Sequence, residues 1–108
     1  MRSALLAAVA LAAPTPPMVL ETTSYCPGSS GEITASGQHV HPGVAANNML
    51  PLGTVIRISP RAFGRSVWTV LDRIGWGSQL DLWSASCTAS IQFGRRLERV
   101  TVVGRRAR

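Results

Sequence analysis

The sequence predicts an all-β domain of about six short strands with one short helix, which indicates a small barrel or sandwich. Two observations support this prediction. The chain has 10 glycines and 7 prolines in 108 residues, and no long helical period is present between them. The intervening runs are short and apolar or β-branched. In residues 54–59, Ile56 and Ile58 share one face and Arg57 takes the other, as in a strand.

The turn residues divide the chain into elements. Strands are predicted at residues 20–25, 43–46, 54–59, 66–71, 79–83 and 97–103. The helix is predicted at residues 85–93, because Ser84 is a typical N-cap and Gly94 follows the last helical position. Residues 60–64, which begin with proline and end with glycine, are predicted to connect the third and fourth strands.

The N-terminal segment has the features of a secretory signal peptide. Residues 1–13 contain an early arginine, an apolar run of about ten residues and small residues at its end. An Ala-rich helix or a disordered tail is the alternative. We expect a linker at residues 14–19, one domain at residues 20–104 and a basic tail at residues 105–108. The apolar run is too short to span a bilayer, so a secreted or cell-wall-associated monomer without membrane insertion after processing is predicted.

The two cysteines, Cys26 and Cys87, predict one disulfide, because small exported domains often add such a bond to a small core. Two free buried thiols or one reactive cysteine are the alternatives. His39 and His41 stand two residues apart with no evident third ligand, so neither a metal nor another cofactor is predicted.

The charge of the chain favours an anionic partner. The formal net charge is +6, and all 11 basic residues are arginine. An exported protein of this charge suits a bacterial wall rich in carboxylates and phosphates. Nucleic acid is not predicted as the partner, because the arginines are scattered and aromatic residues are few.

The five carboxylates limit where acid-base chemistry can occur. Glu21 and Glu98 stand beside polar or charged residues, and we expect both on solvated faces. Asp72 ends the predicted strand at 66–71. Glu32 lies in a predicted short segment after a glycine-rich loop.

Asp81 stands between Leu80 and Leu82, and Trp83 shares its face of the strand. A tryptophan beside a carboxylate in an exported protein indicates a sugar platform next to a proton donor. The alternative is that Asp81 caps a loop or pairs with Arg73, with Trp83 in the core. Both interpretations are consistent with the spacing.

Five short motifs, taken in order, resemble the three-aspartate (3D) domain family. They are Thr34-Ala35-Ser36-Gly37, Pro51-Leu52-Gly53-Thr54, Asp72-Arg73-Ile74-Gly75, Leu80-Asp81-Leu82 and Phe93-Gly94-Arg95-Arg96. The sequence is similar also to the barrel of membrane-bound lytic transglycosylase A and to rare-lipoprotein-A-like and expansin barrels. The resemblance runs over residues 22–103, and it implies a six-stranded double-psi β-barrel with one short helix.

The resemblance also implies a reaction. Lytic transglycosylases of this type cleave peptidoglycan between N-acetylmuramic acid and N-acetylglucosamine, and one aspartate acts as acid and then as base. Asp81 matches that aspartate and Asp72 matches the middle one of the three. Thr34, Asn47, Trp76 and Trp83 are predicted to bind substrate in the cleft. Trp76 lies in the loop that differs from the family, so it is predicted either as a new sugar contact or as a loop anchor packed on the barrel.

The sequence departs from the family pattern at two points. Ala46 occupies the position of the first aspartate, and the loop between Asp72 and Asp81 is shorter than in the family. The departures keep a second interpretation open, in which the domain binds peptidoglycan or another polysaccharide, or loosens the wall as expansin-like barrels do, without catalysis.

Overall fold

The computed structural model describes residues 16–28 and 32–106, which contain six strands and one helix. The elements are β1 (Met18–Tyr25), β2 (Val44–Ala46), β3 (Thr54–Ala62), β4 (Arg65–Asp72), β5 (Leu80–Trp83), α1 (Cys87–Phe93) and β6 (Arg96–Arg105). The predicted signal peptide at residues 1–13 lies outside the described residues, as do the last two residues of the tail.

The six strands close into one barrel in the order β1-β5-β2-β4-β3-β6. The pairs β1–β5 and β2–β4 are parallel, and the other neighbours are antiparallel. The prediction of an all-β fold, a six-stranded barrel with one short helix, is therefore confirmed. Across the part of the chain that is described, no helix has the length and apolarity needed to cross a bilayer.

The helix starts later than the sequence predicts. Its N-cap is Ser86, whose side chain accepts a 3.1 Å hydrogen bond from the backbone N–H of Ala89. The predicted cap, Ser84, instead bonds through its hydroxyl to the backbone of Ser86. The predicted C-cap is confirmed, since Gly94 adopts a φ of 66° and donates its N–H to the carbonyl of Ser90.

The third strand continues through the predicted connection. β3 extends to Ala62, and Pro60 lies inside it. The register of β3 against β4 shifts between Arg57 and Ala62, so Pro60 stands at an irregularity where its missing N–H removes no regular ladder bond. The turn between β3 and β4 is reduced to residues 63–64.

Apolar side chains pack on both sides of the sheet. The main core fills the barrel and includes Ile56, Ile58, Trp68, Leu80 and Leu82. A second cluster packs on the outer face of neighbouring strands and consists of Tyr25, Val44, Ala46, Leu71 and Trp83, with Val40 and Ile74 against it. The candidate site lies over this outer cluster.

The prediction that Glu98 lies on a solvated face is wrong. Glu98 is fully buried, and its Oε2 accepts a 2.8 Å hydrogen bond from Nε of Arg96. Burial raises the pKa of the Glu98 carboxyl, and the contact with Arg96 opposes the shift. Glu21, the other glutamate predicted on a solvated face, is exposed and forms an ion pair with Arg95.

An arginine-aromatic stack packs beside this buried pair. The guanidinium of Arg96 lies 4.2 Å from the ring centre of Phe93 and donates to the carbonyl of Arg61. The Phe93 ring stacks on Phe63 at 5.2 Å between centroids, and Phe63 meets the edge of Trp68. The half-buried Arg96 therefore joins the end of α1 to the turn between β3 and β4.

The predicted disulfide is confirmed, because Cys26 and Cys87 are bonded to each other. Cys26 follows the last residue of β1, and Cys87 is the first residue of α1. The bond fixes α1 against β1, and the 2.7 Å hydroxyl contact between Ser24 and Ser90 supports the same docking.

Candidate functional site

Two carboxylates are brought together on the outer face of the barrel by β2. Its last residue, Ala46, is the register partner of Asp72 on β4 and of Asp81 on β5. Side chains at matching register positions of neighbouring strands project to the same face. Asp81 also alternates with Leu80 and Leu82, which face the main core, so its carboxyl projects outward.

The two carboxylates share one open cavity of about 280 Å³. Its lining residues are Tyr25, Ala46, Asp72, Arg73, Ile74, Gly75 and Asp81. Ala46 contributes only a methyl group between the two acids. The position that the family resemblance assigns to a first aspartate therefore lies within the cavity, and its small side chain leaves the space between Asp72 and Asp81 open.

Asp81, like Asp72, is half-buried at the cavity. Its Oδ1 accepts a 3.0 Å hydrogen bond from the hydroxyl of Thr23, its register neighbour on β1. Burial raises the pKa of Asp81, the bond from Thr23 lowers it, and the nearby charge of Asp72 raises it again, so that the net shift is upward. No ion pair of the described residues involves Asp81.

Asp72 is held by three donors. Its Oδ1 accepts hydrogen bonds of 2.9 Å from the backbone N–H groups of Ala35 and Arg73, and its Oδ2 accepts a 3.0 Å bond from the Tyr25 hydroxyl. These bonds hold the Asp72 carboxylate in place and occupy most of its lone pairs, so Asp81 is the more available of the two acids.

Tyr25 separates two cavities. Its hydroxyl bonds to Asp72, and its buried ring belongs to the outer apolar cluster. Burial, then the charge and hydrogen bond of Asp72, raise the pKa of Tyr25, so the phenol stays protonated. A second cavity of about 280 Å³ lies on its other side, between the end of β1 and α1.

The guanidinium of Arg73 is directed away from the acids. Its Nη1 donates to the backbone carbonyls of Asn47 at 2.6 Å and Leu50 at 2.8 Å. The alternative in which Asp81 pairs with Arg73 is therefore not what the structure contains. Arg73 lines the cavity and fixes the loop after β2. It forms no ion pair with Asp72 or Asp81.

Thr34 and Asn47, predicted to bind substrate, are buried in loops beside the cavity. The Thr34 hydroxyl contacts that of Ser36 at 2.7 Å. The Asn47 side chain donates to the carbonyls of Ser78 and Gln79, and its Oδ1 accepts from the backbone N–H groups of two following residues, Met49 and Leu50. Neither residue lines the cavity, so both support the loops that surround it.

The two tryptophans predicted as sugar contacts differ in exposure. Trp83 is buried in the outer cluster beneath the cavity and does not line it, although it shares the strand face of Asp81. Trp76 is 84% exposed and follows Gly75, which does line the cavity. Asn48 holds this loop, because it donates to Gly77 and accepts from Ile74. Trp76 is therefore an exposed aromatic residue that directly follows the cavity lining in sequence.

Sequence reasoning missed Thr23 and Tyr25, whose hydroxyls donate to Asp81 and Asp72 respectively. A signal was present, because residues two apart on a strand share a face and both carry hydroxyls. The face they share is set by the parallel pairing of β1 with β5, a contact between residues far apart in the chain. The alternation is therefore visible in the sequence, and its partner strand is not.

Comparison with models of known families gives no match, and no curated protein matches the chain. The chemistry of the site therefore follows from its geometry. Within the described residues, no three side chains of His, Cys, Asp or Glu come together as a metal-ligand set. What the cavity offers is a carboxyl with a raised pKa beside a fixed carboxylate, which is an arrangement suited to proton donation.

Proposed function

We propose that this protein cleaves the glycan strands of peptidoglycan by a lytic transglycosylase-like reaction, with Asp81 as the acid and base. The observation that carries the proposal is the position of Asp81 in an open cavity, half-buried, next to Asp72 and without a cationic partner among the described residues. A general acid must hold its proton near the working pH, and a raised pKa serves that role.

The proposed reaction proceeds in two steps. Asp81 donates its proton to the glycosidic oxygen while the bond from that oxygen to C1 of muramic acid breaks. The Asp81 carboxylate then takes the proton of the muramic acid 6-hydroxyl, whose oxygen forms the new bond to C1 and closes the 1,6-anhydro ring. Asp81 ends protonated, as it began. The fixed anion Asp72 stabilises the positive charge that develops at C1.

The hydrogen bonds to both carboxylate oxygens of Asp72 support a mechanism in which one residue, Asp81, acts as both acid and base. A glycosidase that uses water or a covalent intermediate needs a second carboxylate free to act as base or nucleophile. Both oxygens of Asp72 are hydrogen-bonded, one of them to two backbone N–H groups. An internal hydroxyl nucleophile removes the need for that second group, so one available carboxyl is sufficient.

An extracytoplasmic location is part of the proposal. The disulfide between Cys26 and Cys87 is of a kind that persists in oxidising compartments. The net charge of +6 favours adsorption to an anionic wall. Both properties are compatible with a protein that meets peptidoglycan outside the cytoplasm.

The test is digestion of purified peptidoglycan, with the soluble products analysed by mass spectrometry. We expect 1,6-anhydro-muropeptides from the oxidised full chain and a loss of at least a hundredfold with Asp81→Asn, the scale of general acid catalysis. Glu32→Gln is the matched control, because it neutralises an exposed carboxylate outside the cavity. Undiminished release by Asp81→Asn, or no anhydro products from the wild type, would overturn the assignment.

The exposed ring of Trp76 favours a second candidate, a peptidoglycan or polysaccharide-binding module that does not cleave. Sugar rings pack on exposed aromatic faces, and Trp76 is exposed on an anchored loop next to the cavity-lining Gly75. Co-sedimentation with insoluble wall separates the candidates. Binding that Trp76→Ala abolishes, with no soluble product from the wild type, supports the binding module over the enzyme.

A further inference from the structure

The outer face of β3 and β6 forms an arginine-rich surface, hereafter the arginine wall. Arg57 alternates with the core residues Ile56 and Ile58, and Arg99 alternates with the buried Glu98 and Val100, so both arginines point outward. The exposed arginines of the wall are Arg57, Arg61 and Arg99.

The register places these cations close together. Ser59 pairs with Arg99 and Arg57 pairs with Thr101, so Arg57 and Arg99 occupy diagonal positions on neighbouring strands. Diagonal positions of an antiparallel pair lie about 7–8 Å apart. One extended polyanion can therefore contact both guanidinium groups at once.

No carboxylate of the described residues forms an ion pair with an arginine of the wall, and Glu21, which lies diagonal to Arg99 on β1, is paired with Arg95. The two ion pairs of these residues use Arg95 and Arg96, neither of which belongs to the wall. Glu98 is buried inside the barrel and Asp72 and Asp81 line the cavity. The guanidinium groups of the wall are therefore available to an external anion.

The arginine wall and the cavity lie on opposite sides of the barrel. In the closed order of strands, β5 stands three places from β3 and β2 stands three places from β6. The cavity is lined by Asp72 and Asp81 together with Arg73, whereas the charged side chains of the wall are all arginines, so an anionic polymer is attracted to the wall. A polyanion on the wall would leave the cavity open to a different, uncharged group.

The side chains of the wall favour a polyanion over a lipid surface. Its centre is polar, with Ser59 and Thr101 between the arginines, and exposed aliphatic residues occur towards the ends of β6, at Leu97 and Val103. No tryptophan or tyrosine, the residues that anchor proteins at membrane interfaces, projects from it. Without an aromatic platform it also offers nothing for bases to stack on.

We propose that the arginine wall binds a linear phosphodiester polymer through its phosphates, and so holds the protein on its target while the cavity stays free. Arginine suits this ligand because the guanidinium fork pairs with two phosphate oxygens at once. The ligand that fits is a wall glycopolymer of polyol phosphates rather than a nucleic acid, because β3 and β6 carry no tryptophan or tyrosine on which bases could stack. The proposal does not depend on the proposed glycan cleavage.

The experiment measures binding of a labelled poly(glycerol phosphate) oligomer to the oxidised full chain by fluorescence anisotropy across a salt series. We expect Arg57→Gln combined with Arg99→Gln to weaken binding at least tenfold and to reduce the slope of log affinity against log salt by about 2. The matched control is Thr88→Glu combined with Gln92→Glu on α1, which lowers the net charge equally, by two, outside the wall.

Three outcomes decide the proposal. Equal loss in both double variants means that net charge alone acts, and it overturns the wall as a site. Tighter association with anionic phospholipid vesicles than with the polymer assigns a membrane partner instead and also overturns it. Tighter binding to a single-stranded DNA of equal phosphate number assigns a nucleic acid instead and overturns it as well. Asp81→Asn should bind the polymer unchanged, which keeps this test separate from catalysis.

Discussion

The hydroxyl of Tyr25 donates a 3.0 Å hydrogen bond to Oδ2 of Asp72, so the end of β1 supports the carboxylate at the end of β4. Tyr25 is the only tyrosine of the chain, and its ionisation is therefore the only phenol signal. Burial first, and then Asp72, raise its pKa well above the ordinary value of 10.0.

We expect the folded protein to show no tyrosinate absorbance at about pH 11, one unit above the ordinary pKa of about 10. Because the pKa is raised in the folded state, the stabilisation from this group is complete below about pH 10 and is lost as the pH rises further. Titration in denaturant is the control and should give an ordinary tyrosine. A tyrosinate signal at about pH 10, with the circular dichroism of the folded state intact, would contradict the geometry.

Asp81→Asn is expected to raise the free energy of unfolding at about pH 7 by about 1 kcal/mol, because active-site groups commonly oppose stability. Asparagine keeps an oxygen for Thr23 and removes a charge that burial and Asp72 disfavour. Because the pKa of Asp81 is raised in the folded state, the free energy of unfolding of the wild type increases as the pH falls from neutral towards about 4. The variant should lack this increase. Urea denaturation across this pH range measures the free energy of unfolding of both proteins.

Glu32→Gln is the control for that experiment, since Glu32 is an exposed carboxylate outside the cavity. It should leave stability within about 0.5 kcal/mol of the wild type. An Asp81→Asn protein less stable than the wild type at neutral pH would show that the carboxylate makes a favourable contact there.

Ala46→Asp places a third carboxylate between Asp72 and Asp81. Ala46 is 1% exposed, so the variant should lose about 3 kcal/mol of stability, and the new charge should raise the pKa of Asp81 further. Ala46→Asn is the matched control, because it has the same shape without the charge. Carbon NMR titration of the carboxyl groups measures the pKa, and equal Asp81 titration in the two variants would refute the predicted coupling.

Arg96→Ala removes the hydrogen-bonded partner of the buried Glu98. We expect a loss of about 3 kcal/mol at about pH 8, the scale of an unpaired buried charge. The pKa of Glu98 is already raised and rises further without Arg96, so the protonated form relieves the penalty and the loss shrinks at about pH 5. Arg99→Ala, on the exposed face of the same strand, is the control, and a pH-independent loss in Arg96→Ala would rule out this cause.

Reduction of the Cys26–Cys87 bond should lower the free energy of unfolding by about 4 kcal/mol, because the bond closes a long loop in the unfolded chain. Thermal melts with and without a reductant measure the change. Cys26→Ser combined with Cys87→Ser should match the reduced protein and no longer respond to the reductant. A double variant as stable as the oxidised wild type would show that docking of α1 needs no covalent bond.

Local patterns predicted the strands well, because alternation and turn residues act over a few positions. At Glu98 and Pro60, however, the type of residue predicts a different position from the one that the structure shows. Glu98 stands two residues before Val100, so alternation puts both on the inner face of β6, although its charge favoured a solvated position. Pro60 favours the end of a strand at residue 59, whereas a shift in register allows β3 to continue past it to Ala62.

The candidate site was less predictable, because its partners come from strands far apart in the chain. Asp72 and Asp81 are visible as scarce carboxylates, but nothing local shows that Ala46 is the register neighbour of both. Trp83 shares a strand face with Asp81 and still lies beneath the cavity, since the chain after β1 and the loop around Ile74 cover that part of the face. The closed pairing of strands determines these relations.

The arrangement of Asp72, Ala46 and Asp81 on three paired strands of a closed barrel affects the kinetics of binding. Paired strands fix the backbone positions of the two acids, and hydrogen bonds from Thr23 and Tyr25 hold their side chains, so the pair is already in place when a ligand arrives. Partners that change little on binding associate in a single step, with rates set by diffusion and orientation. Ligand association at this cavity should therefore follow one exponential phase whose rate grows linearly with ligand concentration.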